Sequence, residues 1–116
     1  MMNEVVSEVV ESYNQYIKNI APGSLQIATH LRQDEIQEAL QLILQFSEGM
    51  GWLVQASDLL AKNEVKTTLQ IDQIHDFLNE INSGLEIQDY VLVADMFEYE
   101  IAPFFEQVTQ IEGIEQ

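Results

Sequence analysis

The chain has 116 residues, 47% of them apolar, and its twenty acids face only four bases, Lys18, Arg32, Lys62 and Lys66, for a formal charge of −16. This length and composition predict one globular domain, residues 1–116, that buries roughly two-thirds of its unfolded surface; a disordered chain would be less apolar. The charge excludes nucleic acid and anionic membrane as partners, because both need clusters of Lys and Arg that this sequence lacks.

The sequence contains no cysteine, so disulfides, thiolate metal sites and a cysteine nucleophile are ruled out. The start, Met1-Met2-Asn3-Glu4, lacks the positive region of a secretory signal, and no apolar run approaches the length of a membrane span. A cytoplasmic protein is expected.

A first amphipathic helix is read from Val6, Val9, Val10, Tyr13, Ile17 and Ile20, spaced i, i+3, i+4, i+7, with Asn3 as its N-cap. Ala21-Pro22-Gly23-Ser24 should stop it, since Pro22 disfavours helical geometry at Ala21 and Gly23 permits a turn. Residues 24–33 then fit one further short helix, capped by Ser24 and marked by Leu25, Ala28 and Leu31 or Arg32.

A long helix follows from Asp34-Glu35 to about Lys62, carrying Ile36, Ala39, Leu40, Ile43, Leu44, Phe46, Met50, Leu53, Val54 and Leu60. Gly49 and Gly51 in its middle each cost about 1 kcal/mol against Ala. Close approach of a neighbouring helix, or a kink beside Trp52, is the structural reading of that cost; a backbone-lined ligand pocket is the functional one. Asn63-Glu64 should open a third major helix with Leu69, Ile71, Ile74, Phe77, Leu78 and Ile81 on one face, closed by Asn82-Ser83-Gly84.

The last helix begins between Leu85 and Asp89. Its apolar stripe runs Tyr90, Val91, Ala94, Phe97, Ile101, Phe104, Val108 and is widened by Leu92, Val93, Met96 and Phe105, so a central position is expected. Pro103 clashes with the carbonyl of Tyr99 and predicts a kink or break near the end, with a frayed tail over residues 110–116. The sum is an all-α fold, a four-helix up-and-down bundle with one extra short helix near residues 24–33.

The acids of the last helix are the unusual feature, because an apolar helix must hold Asp95, Glu98 and Glu100 at its edges or bury them with partners. Glu98 and Glu100 point roughly 160° apart at 3.6 residues per turn. Asp95 can meet Glu98 or Tyr99, which makes Asp95, Glu98 and Tyr99 the candidate polar core or groove. Trp52 and Tyr16, with Gly49 and Gly51, are the candidate interface, since large amphipathic aromatics dominate binding hot spots.

Asp72-Gln73-Ile74-His75 is a single short-armed relative of the Glu-x-x-His motif of metal-binding bundles; Asp72 and His75 lie off the apolar stripe and are expected in solvent, so no metal or other cofactor is assigned. His30 is expected at the surface near a helix end. No serine sits in a nucleophile elbow.

The segment from Asp89 to Pro103, DYVLVADMFEYEIAP, together with Glu48-Gly49-Met50-Gly51-Trp52-Leu53, resembles small uncharacterised helical proteins of Gram-positive bacteria. The resemblance covers the last two-thirds of the chain. It implies an all-α fold and a bacterial cytoplasmic origin, and no activity. The expected function is a non-enzymatic helical interaction protein, a homodimer or acidic adaptor with an apolar groove rimmed by carboxylates. The alternatives are an acidic immunity-type or chaperone-type binder of a basic protein, and a metal protein or enzyme using Asp95, Glu98 and a histidine.

Overall fold

The computed structural model describes residues 4–111. Its elements are α1 (Glu4–Arg32), α2 (Ile36–Lys62), α3 (Ile71–Glu86) and a last helix built of α4 (Tyr90–Asp95), a π-helical stretch (Met96–Ile101) and α5 (Ala102–Glu106). The molecule measures 49 × 21 × 21 Å, and the 29-residue α1, about 43 Å long at 1.5 Å per residue, runs nearly its whole length.

Each helix packs on its neighbours in the chain and the last helix closes onto α1, giving the up-and-down four-helix arrangement. The last helix is therefore one corner of the bundle, between α1 and α3, and not its centre. Across the diagonal, Phe46 of α2 meets Phe97 edge to face at 5.1 Å between centroids.

Pro22 does not break α1, and residues 24–33 form no separate helix. The expected stop fails because the apolar stripe keeps its phase through it: Ile17, Ile20, Ser24, Ile27 and Leu31 are all buried. Pro22 itself faces solvent, so the Lys18 carbonyl it leaves without a helical partner can bond to water. Burying Ile27 and Leu31 at about 1.5–3 kcal/mol each outweighs the roughly 3 kcal/mol cost of an interior proline. Ser24, expected as a cap, is instead in the core, and Leu25, expected on the apolar face, is exposed. Asn3, the expected N-cap of α1, lies outside the described residues.

All three interhelical turns use one device. Asp34, Glu64 and Gln88 have φ of 63°, 63° and 57°. In each turn the left-handed residue donates its N–H three residues back, to Leu31, Ala61 and Leu85. The next N–H reaches five back, from Glu35 to His30, Val65 to Leu60 and Asp89 to Gly84, at 2.8–2.9 Å. These are Schellman closures, which satisfy the last helical carbonyls, made here without glycine at the left-handed position. Asp34 thus ends α1 and does not cap α2, whose N-cap Glu35 makes no side-chain capping bond.

The third helix starts at Ile71 and not at Asn63. Between them residues 65–70 form a non-helical strap whose burial alternates, with Val65, Thr67 and Leu69 turned inward and Lys66, Thr68 and Gln70 outward, the period of an extended chain. Nor does Gly84 end α3. It lies inside the helix, buried, where a Cβ would stand 2.8 Å from Val93 Cγ2, so the glycine serves close approach of the last helix.

Pro103 acts upstream. It sits in the first turn of α5, directly after the π-helical stretch, and Ala102 donates to Phe97, five residues back. The extra residue in that turn shifts the stripe. An α-helix would bring Phe104 under Phe97 after seven residues, whereas Phe105 is buried there and Phe104 only half-buried. Val91 and Leu92, read as apolar-face residues, are exposed, and Val93, Met96 and Ala102 take the core positions.

Below the level of Tyr13 the bundle is completed by two extended segments, the strap and the chain after α5. Thr109 donates its N–H to Thr68 Oγ1 at 3.1 Å. Ile111 gives its N–H to Asn14 Oδ1 at 2.7 Å, and its carbonyl accepts from Asn14 Nδ2 at 3.1 Å. Residues 110 and 111 of the expected frayed tail are thus tied down; the remainder lies outside the described residues.

Candidate functional site

Arg32, the last residue of α1, explains the acids of the last helix. It donates from one Nη to Asp95 Oδ1 at 2.8 Å and to Glu98 Oε1 at 2.9 Å, and from Nε to Glu98 Oε1 at 3.1 Å. Hydrogen bonds to Asp95 and then Glu98 hold the guanidinium pKa above its ordinary value. All three side chains are more than a third exposed, so the cluster is a half-wet clasp along the α1–last helix seam, in neither core nor groove. Asp95 makes no bond to Tyr99, whose ring is 66% exposed. Nearby, His30 Nδ1 lies 2.6 Å from Glu35 Oε1 across the first turn.

Glu98 turns to Arg32, and Glu100 turns to the other side of the last helix. There Glu100 and Glu80 line an open groove between α3 and the last helix, about 330 Å³ in volume, with Asn79, Ser83, Leu92 and Met96. Met96 is buried and forms floor; Leu92 is exposed along it. Both Met96 and Glu100 belong to the π-helical stretch, so the irregular turn sets one wall of the groove.

The second half of the sequence is the more acidic. Residues 1–62 carry eight acids and three bases, whereas residues 63–116 carry twelve acids and only Lys66. A larger groove, about 910 Å³, opens between the C-terminal half of α2 and the strap, with Val54, Ala61, Val65 and Ile71 among its lining and Asp58, Glu64 and Lys66 along its rim. The Ser57 hydroxyl at its wall is buried without a partner, as are those of Ser24 and Tyr13. Thr67 of the strap neighbours the Tyr13 hydroxyl and offsets part of the upward pKa shift that burial imposes, but the geometry falls short of a regular hydrogen bond.

Of the expected interface set, Tyr16 and Gly49 are an internal contact. The phenol of Tyr16 fills the place a Cβ on Gly49 would take, and its ring stands edge to face against Trp52 at 5.9 Å. Trp52 is 38% exposed, and nothing lies within 4 Å of a Cβ built on Gly51. Asp72 and His75 stand in solvent, and among the described residues no three His, Asp or Glu side chains gather as a metal set.

Asn14, Thr68, Glu80 and Ser83 were not singled out from the sequence. Asn14 alone carried a signal there, an amide beside the Val10–Tyr13–Ile17 stripe where helix propensity disfavours one.

No helix among the described residues is long and apolar enough to cross a membrane. No curated protein and no solved structure matches the chain. The model of one family, a domain of unknown function (DUF8042), matches residues 8–111, and with nearly all of α1 through the tied end of the chain inside that match, the protein belongs to this family.

Proposed function

We propose that this is a non-enzymatic helical interaction protein that holds a basic, amphipathic protein segment in the groove between α3 and the last helix. The observation that supports this reading is the groove itself, with Leu92 and Met96 beneath and Glu80 and Glu100 at its walls. A lysine or arginine suits such a place, because its aliphatic stem lies on apolar surface while its charged end meets carboxylate. The excess of acids in residues 63–116 raises the local concentration of a basic partner and speeds its encounter.

Titration with a synthetic lysine-rich amphipathic peptide tests it. Binding is expected to weaken steeply between about 0.05 and 0.5 M salt, and the double variant Glu80→Gln with Glu100→Gln should lose most of the affinity with its helicity unchanged. Salt-indifferent binding, or binding untouched by that variant, overturns the reading.

A further inference from the structure

Of the three long helices, α2 has the smallest share of charged residues on its exposed face. Fourteen of its residues are exposed and four of these are charged, Glu38, Glu48, Asp58 and Lys62. Lys62 Nζ lies 3.1 Å from Asp58 Oδ2, so that pair is neutral in sum. By contrast, α3 exposes eight residues, of which four are acids and none is Lys or Arg. Leu40, Leu44, Trp52 and Leu59 are all exposed along α2.

Gly51 sits among them and is unexplained within the monomer. It is exposed in mid-helix with open space where a side chain would go, although glycine there is less favourable than alanine. Gly49, two residues earlier, has its reason in Tyr16. Close approach of another backbone over Gly51 is the remaining reason the fold allows.

We infer that the outward face of α2 is where a second copy of this chain docks, the two α2 helices crossing antiparallel over Gly51. Charge selects the occupant. A basic partner is drawn to the α3 side, so the α2 face fits a surface that is apolar and weakly charged, and this chain supplies one such surface in α2 itself. Between copies of charge −16, any contact through α3 sets acid against acid, whereas contact through α2 brings in only Glu38, Glu48 and Asp58, the last offset by Lys62.

Charge also selects the direction. A parallel pair would stack Glu48 on Glu48 and Asp58 on Asp58. An antiparallel pair centred on Gly51 sets Glu48 near Gln55, brings Glu38 toward Lys62 of the other copy, and lays Leu40 and Leu44 toward its Leu59. Trp52 then has the open space over the facing Gly51 to fill. The arrangement is two-fold and self-complementary, as a closed dimer requires.

Sedimentation equilibrium of the full chain tests this. A dimer is expected, tightened by raised salt because the residual repulsion is screened. Leu44→Glu should give a monomer of unchanged helicity. Gly51→Ala should weaken the dimer at least tenfold while raising the thermal midpoint of the dilute monomer, a pairing that a folding defect cannot produce. A chain monomeric at millimolar concentration, as expected if another protein or a lipid surface covers this face, overturns the inference, as does a dimer that survives Leu44→Glu. The Glu80→Gln, Glu100→Gln variant should remain dimeric, and Leu44→Glu should still bind the lysine-rich peptide, so the two readings fail separately.

Discussion

The phenol hydroxyl of Tyr16, at the tip of its ring, occupies the space in which a side chain at residue 49 would begin. A glycine of α2 and a tyrosine of α1 are thereby matched as socket and plug, and Trp52 closes the ring's flank edge to face.

Replacing the two glycines of α2 should have opposite effects. Gly49→Ala is expected to push Tyr16 off Trp52 and to destabilise the fold by about 1–3 kcal/mol, overpacking exceeding the helix-propensity gain. Gly51→Ala meets nothing in the monomer and should stabilise it by up to about 1 kcal/mol. Thermal unfolding of both variants in dilute solution checks the sign of each.

The left-handed residues Asp34, Glu64 and Gln88 bear a steric cost that glycine would not. Glu64→Gly and Gln88→Gly should each stabilise the protein by about 0.5–1 kcal/mol, the relief of strain being partly offset by the greater freedom of glycine in the unfolded chain. Urea midpoints above that of the parent would establish it. A drop would show that the side chains at these turns matter more than the backbone.

Burial raises the pKa of Tyr13 and Tyr16 above the ordinary value of 10.0. A raised folded-state pKa means stability fully present below about pH 10 and lost as pH climbs from there toward the folded value, since only the unfolded chain ionises easily in that window. Alkaline titration followed by helix signal should show unfolding begin above pH 10. Tyr13→Phe removes an unpaired buried hydroxyl, so it should be near-neutral or stabilising at pH 7 and should shift the alkaline transition upward.

The Arg32 clasp is exposed and screened by salt. Arg32→Gln is expected to lower the thermal midpoint slightly at low ionic strength, and the difference from the parent should vanish near 0.5 M salt, roughly where the Debye length falls below 5 Å. Melting curves at two salt concentrations suffice.

Periodicity made the core legible. Val6, Val10, Tyr13, Ile17, Ile43, Met50, Ile74, Phe77 and Phe97 were placed by spacing alone and are buried. Both ends of α2 and the start of the last helix were legible, but the continuation of α1 through Pro22 and the two ends of α3 were not, and the reason is local. Turn reading rests on glycine and proline, yet Gly23, Gly49, Gly51, Gly84 and Pro22 all lie inside helices, while the turns fall at Asp34, Glu64 and Gln88.

Glycine was spent on close approach at Gly49 and Gly84, and Pro22 was outvoted by the stripe on either side of it. The site was legible only in part. The acids of the last helix were rightly separated into two faces, but the Arg32 that pairs with Asp95 from sixty-three residues earlier, and the groove Glu100 shares with Glu80 of α3, belong to tertiary structure. The π-helical turn that re-phases the stripe leaves no mark beyond Pro103.

The amide of Asn14 grips the backbone of Ile111, ninety-seven residues away, by both its N–H and its carbonyl. That grip sets an order on events during synthesis. α1 and α2 can pair while the chain is still emerging, but the α1 side chain that fastens the lower bundle has nothing to hold until Ile111 has been made. Loop closure over so many residues comes at an entropic cost and is slow compared with helix formation. Before Ile111 is made, the seam that Asn14 closes has no second side.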